Sequence, residues 1–203
     1  MGIQLINPHL ITKQMKKAIL IRHGESEANV RGILSEELEY YNLTETGRSQ
    51  AERMGNILRN YRIDGIFSSP ILRTRETADI ISGIIGRKVE IMDDIRESGL
   101  GGFNGKPFQS LPFGGREDLG MESWASLVKR MIGALEEREG NYIFVSHALP
   151  IRAAVSHYLG LNELDSYGIE IRFTSISAID ITNGKVLCLG SLKPSKKIEN
   201  AFS

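Results

Sequence analysis

Cysteine is almost absent: Cys188 stands alone among 203 residues, so the chain can form no internal disulfide and no Cys-rich metal site. Its neighbours Val186, Leu187 and Leu189 mark it as a small buried apolar residue rather than a reactive thiol. Net charge is missing as well. Twenty-five Lys and Arg balance 25 Asp and Glu, which argues against broad electrostatic binding to nucleic acid or an acidic membrane. A local cationic pocket remains compatible with that balance. No apolar run approaches the roughly 20 residues of a membrane helix, and the first residues lack the basic segment and apolar core of a secretory signal. A cytoplasmic location, with neither membrane nor nucleic acid as partner, is therefore expected. No repeat or low-complexity block divides the chain. One domain over 1–203 is expected, with 1–17 a leader and Lys193–Lys197 a solvated basic exit.

What is present reads as alternating strands and helices. Ala18–Ile21 is an apolar strand ending at Arg22-His23-Gly24-Glu25. Thr44 then caps a helix running to about Asn60, with Ala51, Met54, Ile57 and Leu58 on its apolar face. Asp64–Ser69 holds a second strand, and Pro70 opens a helix carrying Ile80, Ile81, Ile84 and Ile85. Val89–Ile91 is a third strand. Residues 96–120 are rich in Gly and Pro and lack periodicity, so they form a long connection, expected to cover a substrate. Trp124, Leu127, Val128, Met131 and Leu135 mark the next helix face. Tyr142–Val145 has the continuous apolar character of a central strand; it ends at Ser146-His147, with Pro150 opening a helix. Alternation over Ile169–Thr174 predicts a further strand, and Asn183-Gly184 a hairpin turn into Lys185–Leu189. The fold class is α/β: a three-layer sandwich with a mostly parallel central sheet and an antiparallel edge.

Two histidines follow central strands, where open α/β sheets commonly hold ligands, and Arg73-Thr74-Arg75-Glu76-Thr77 lies at a helix opening between them. Guanidinium forks match phosphate oxygens. A neutral imidazole can attack phosphorus, and a second, as imidazolium, can stabilise the charged transferring group. Gly24 suits a close backbone approach to an oxyanion. Neither glycine-rich decoy holds: Asn104 takes the last glycine position of a GxGxxG, and Gly105-Lys106 is followed by Pro107 rather than Ser or Thr.

These motifs resemble the histidine phosphatase superfamily, which also contains cofactor-dependent phosphoglycerate mutases. The matching residues are Arg22–Ser26 with Asn29, Leu43–Gly47, Ser68–Ala78, Arg96-Glu97 with Gly101–Gly105, and Val145–His147 with Ile151-Arg152. The resemblance implies that His23 is the nucleophile that becomes phosphorylated. Arg22 and Arg73 bind phosphate, His147 completes the pocket, and Glu97 is the acid–base residue. Asn29 falls at a phosphate-pocket position. Arg75 and Glu76 are expected in a supporting ion-pair network, and Ser146 in a turn or pocket hydrogen bond. No metal is required in such a scheme. The chain departs from the family pattern at Ala148-Leu149 after the later histidine, and at Phe103-Asn104, where an acidic group is lost.

About fifty residues separate Glu97 from His147. Larger phosphoglycerate mutases carry an insertion there, so the compact form resembles the phosphatase branch. The expected activity is a metal-independent phosphatase acting on a small phosphorylated metabolite. Its alternatives are a phosphoglycerate mutase using 2,3-bisphosphoglycerate as cofactor and a non-catalytic phosphate-binding protein. Monomer and homodimer are both compatible with the resemblance.

Overall fold

The computed structural model describes residues 16–112 and 114–203. The chain runs β1 (Lys16–Arg22), α1 (Glu27–Val30), α2 (Glu45–Leu58), β2 (Gly65–Ser68), α3 (Leu72–Ile85), β3 (Val89–Ile91), α4 (Trp124–Glu136), β4 (Gly140–Ser146), α5 (Ala148–Leu159), α6 (Glu163–Ser166), β5 (Ile176–Asp180), β6 (Lys185–Ser191) and α7 (Lys196–Ala201). One sheet has the order β3-β2-β4-β1-β5-β6. Its first four strands are mutually parallel, while β5 is antiparallel to both β1 and β6.

The period of two in β1 explains the layers. Ala18 and Leu20 join a core with Phe144, Leu127, Met131 and Ile151, under α4 and α5. Ile19 and Ile21 face the opposite way, toward Met54, Leu58, Ala78 and Ile81 of α2 and α3. Both faces of the central strands are thereby covered, as a parallel sheet requires. Helices leaving the adjacent strands β1 and β4 pack on opposite faces, which opens a crevice at the carboxyl ends of those strands.

Several expectations shift. Lys16 and Lys17, placed in the leader, are strand residues; residues 1–15 lie outside the described part. The basic C-terminal stretch does not end the fold. It leads into α7, where Ile198 and Phe202 are fully buried and the ammonium of Lys17 donates to the Ala201 carbonyl. Pro70 precedes its helix, whose N-cap is Ile71, and Pro150 sits inside the first turn of α5, which opens at Ala148. Both prolines occupy places where their missing N–H has no helical acceptor.

The largest difference is at 169–174, which is not a strand. Ile171 is buried while Glu170 and Arg172 are exposed and paired at 2.6 Å, so the alternation reports the inward side as far as Arg172, whereas Thr174, on the expected polar face, is fully buried. The ladder, however, starts at Ile176. Thr174 has φ +52°, which turns the chain, and its N–H donates to the Arg22 carbonyl. Thr44 caps α2 as expected, accepting from the Gly47 N–H at 3.0 Å. The Asn183-Gly184 hairpin is present between β5 and β6.

Candidate active site

The register of β1 against β4 sets Arg22 opposite Ser146, so the residues that follow them, His23 and His147, emerge side by side. Their rings lie 5.2 Å apart at 61°, and the His23 N–H donates to the Ser146 carbonyl at 3.0 Å. Ser68-Ser69 ends the neighbouring strand β2 at the same edge.

His23 Nδ1 lies 2.7 Å from the Gly24 carbonyl oxygen, an acceptor, so Nδ1 carries the proton. Its Nε2 accepts from Arg73 Nε at 3.2 Å and therefore bears the lone pair. His147 is set the other way. Arg73 Nη2 donates to its Nδ1 at 3.1 Å, leaving Nε2–H to donate to Ser69 Oγ at 2.9 Å. Burial, then the charges of Arg73 and Arg22, hold the His23 pKa well below the usual imidazole range. The same burial and Arg73 depress His147. Both shifts favour the neutral ring, which for His147 runs against the imidazolium expected from the sequence.

Arg73 is 3% exposed, with Nη2 also donating to the Ser35 carbonyl at 2.8 Å. Arg22 donates from Nη1 to the Ile171 carbonyl at 2.8 Å, and the Phe173 ring covers its guanidinium at 4.1 Å. Burial brings its pKa down to about 10, so it stays charged at neutral pH. Arg22 Nε and Arg73 Nη1 are buried without a protein acceptor. Buried charged donors lacking acceptors are unfavourable, and an anion such as phosphate supplies what they lack.

Glu97 keeps about a fifth of its side chain exposed. Its Oε2 lies 3.6 Å from His147 Nδ1 and 3.8 Å from Arg73 Nη2, while Oε1 accepts from the Ser98 N–H at 3.0 Å. Burial raises its pKa above the ordinary carboxylate value, against the opposing pull of Arg73, the Ser98 N–H and Arg22. Burial that favours the neutral carboxyl suits a group that gives up a proton to a leaving group. Thus Arg22, His23, Arg73, Glu97 and His147, far apart in sequence, share one crevice.

A family model described as "Histidine phosphatase superfamily (branch 1)" matches residues 18–191, a span that includes all five. The chain belongs to this superfamily. Among curated relatives, a 2,3-bisphosphoglycerate-dependent phosphoglycerate mutase of Thermoplasma acidophilum is 40% identical over 193 residues, covering 91% of this chain and 96% of that protein. Among solved structures, a phosphoserine phosphatase of Entamoeba histolytica, crystallised with phosphoserine, superposes with a TM-score of 0.75 at 24% identity, covering 87% of this chain and 97% of that one. The YhfR protein of Bacillus stearothermophilus gives 0.76 at 22% identity, covering 89% and 98%. These structural likenesses confirm the compact fold of the superfamily. The expected closeness to the compact phosphatase-like branch is borne out by these structures, and the Thermoplasma relative, named a mutase, is also matched over almost its whole length.

Within this histidine phosphatase, Asn29 sits in α1 with its amide oxygen accepting from the Ser26 N–H at 3.0 Å and from Ser26 Oγ at 2.8 Å. That oxygen shapes the loop after His23. Gly24 has a structural reason beyond ligand approach, because a Cβ there would meet the Gly47 carbonyl oxygen at 2.5 Å. Arg75 pairs with Glu39 and Glu76 with Arg48, two separate ion pairs rather than one network. Ser146 Oγ donates to the Ile95 carbonyl at 2.6 Å. Asn104 holds the 34–37 loop, accepting from the Glu36 N–H and donating to Glu37. Phe173 and Ser69 were not foreseen as site residues. The sequence offers Phe173 only as an aromatic in an alternating stretch, and Ser69 as a member of the matching Ser68–Ala78 segment with no role attached.

Proposed function

We propose that this histidine phosphatase hydrolyses a small phosphomonoester through a phosphohistidine at His23. The carrying observation is the His23 tautomer: a buried neutral ring whose Nε2 lone pair faces Arg73, close to guanidinium donors without protein acceptors. The Nε2 lone pair attacks phosphorus and the ester P–O bond breaks. Glu97 gives its proton to the departing oxygen, releasing the alcohol. Water then attacks the phosphohistidine, Glu97 takes a proton from that water, and the N–P bond breaks to return neutral His23 and inorganic phosphate. Arg22 and Arg73 balance charge on the transferring group, and His147 completes the pocket as the acceptor that orients Arg73. Asn29 positions the Gly24–Ser26 loop. Residues 96–120 supply Glu97 and are proposed to cover the substrate.

The 40% identity to a phosphoglycerate mutase favours a second reading, in which phosphate returns from His23 to a phosphoglycerate instead of to water. The same unpaired donors of Arg22 and Arg73 fit a phosphate of 2,3-bisphosphoglycerate, which would serve to phosphorylate His23. One experiment separates the readings. The protein is incubated with 3-phosphoglycerate, with and without 2,3-bisphosphoglycerate, and isomer formation is compared with phosphate release. Release that outpaces isomerisation supports hydrolysis. Isomerisation that depends on the bisphosphorylated donor and outpaces release overturns it in favour of the mutase.

A further inference from the structure

The segment that carries Glu97 has no regular backbone ladder of its own, yet its carboxyl must be held beside Arg73 and His147. Two residues from the α4 region take on that task. Arg130 Nη1 donates to the carbonyls of Asp94 at 2.6 Å and Arg96 at 3.0 Å, and Nη2 donates to the carbonyl of Glu97 itself at 3.1 Å. The other edge of the guanidinium forms a two-point pair with Glu122, Nε to Oε1 at 2.7 Å and Nη2 to Oε2 at 2.9 Å. Glu122 in turn accepts from the Gly99 N–H at 3.1 Å, and its own N–H donates to the Gly99 carbonyl at 2.9 Å. Both side chains are about 13% exposed. Arg116 adds a bond to the Glu122 carbonyl and another to Ser98 Oγ. Polar backbone groups on both sides of Glu97 are thereby bound by one buried ion pair.

We infer that Arg130 and Glu122 are positioning residues for the general acid, holding the 94–99 backbone so that the Glu97 carboxyl meets the leaving group. This rests on the proposed role of Glu97. The planar fork of arginine is what makes it possible, because one guanidinium reaches three carbonyls and a carboxylate at once. Neither residue touches the substrate in this scheme.

The test uses leaving groups that differ in their need for a proton. Nitrophenolate departs unaided, whereas an alkoxide must be protonated. Values of kcat/KM, which report the steps through the first bond cleavage, are measured on the full chain with p-nitrophenyl phosphate and with 3-phosphoglycerate. The variants are Arg130→Met, Arg130→Lys, Glu122→Gln and Glu97→Gln. Arg130→Met is expected to lower kcat/KM about tenfold or more for the alkyl ester and less than about threefold for the aryl ester, the same selective pattern as Glu97→Gln. Arg130→Lys should recover part of the alkyl activity. If Arg130→Met does not fold, Glu122→Gln provides the same comparison with all the arginine-to-carbonyl bonds in place. Equal losses on the two esters, or no loss on either, overturn the inference. If Glu97→Gln itself affects both esters equally, the acid role of Glu97 fails, and the positioning role falls with it.

Discussion

Arg73 Nε lies 3.2 Å from His23 Nε2, so the cation proposed to receive phosphate also holds the nucleophilic lone pair. Arg73 Nη2 donates to His147 Nδ1 as well. One guanidinium therefore sets the orientation of both imidazoles, and incoming phosphate would replace the Arg73–His23 contact with a stronger, charge-assisted one.

Removal of the proposed nucleophile is the simplest check. His23→Ala should lower turnover of any phosphomonoester by about a thousandfold or more, since the covalent route is lost. Acid-labile label from a radioactive phosphate donor, trapped on the wild-type chain, should be absent from the variant. Full activity in His23→Ala would refute the covalent step.

Phe173 covers the Arg22 guanidinium, with no contact to Arg73 required. Phe173→Ala should free Arg22 and weaken phosphate binding, raising KM and the inhibition constant for inorganic phosphate about tenfold while leaving kcat within about threefold. Inhibition assays with inorganic phosphate give the comparison; unchanged binding would show that the ring does not position Arg22.

Ser69→Ala removes the partner of His147 Nε2–H in a fully buried setting. The unpaired donor should destabilise the fold by about 1–2 kcal/mol in urea titrations. The freed ring should also lower kcat about tenfold, since His147 Nδ1, the acceptor that orients Arg73 Nη2 beside the transferring group, would no longer be held in place. A variant with wild-type stability and kcat would remove Ser69 from the site.

Gly47 and Gly24 meet backbone to backbone. A methyl group on Gly47 would overlap the Glu25 carbonyl oxygen, with no flexible side chain available to yield. Gly47→Ala should destabilise the protein by about 2–3 kcal/mol and reduce activity together, because relief of the clash moves the chain that carries His23. Gly83→Ala, where a Cβ meets nothing within 4 Å, should be close to neutral.

The buried neutral histidines give a pH signature. Both have depressed folded-state pKa values, so the unfolded chain takes up protons first as pH falls below about 6.5. Stability should be complete above that value and decline below it, by at most about 1.4 kcal/mol per pH unit for each ring. The raised pKa of Glu97 acts with the opposite sign, favouring the folded state as its carboxyl protonates. Urea midpoints at pH 7 and pH 5.5 should differ in the wild type and differ less in His23→Asn. Identical differences would show that His23 does not contribute.

Local pattern was enough to read the scaffold. The apolar runs at Ala18–Ile21 and Tyr142–Val145 could only be buried on both faces, and Thr44 could only begin a helix in that context. The same pattern misled at Ile169–Thr174, because alternation names no ladder partner; here the chain turns at Thr174 and its backbone bonds to Arg22 instead of pairing as a strand. Asn29 matched a phosphate-pocket position, while its amide oxygen serves Ser26, a short-range geometry that residue type alone does not distinguish.

The missing cysteines and the cancelled charges already confined any chemistry to a local cluster, and the motifs named its members. Which members touch was settled by strand order and register. Pairing β1 with β4 brings His23 and His147 together across more than 120 positions, and the packing of α4 brings Arg130 to the carbonyl of Glu97. Residue types carry the chemical capacity of the site, but distances and tautomers arise from long-range backbone pairing, which no local stretch of sequence encodes.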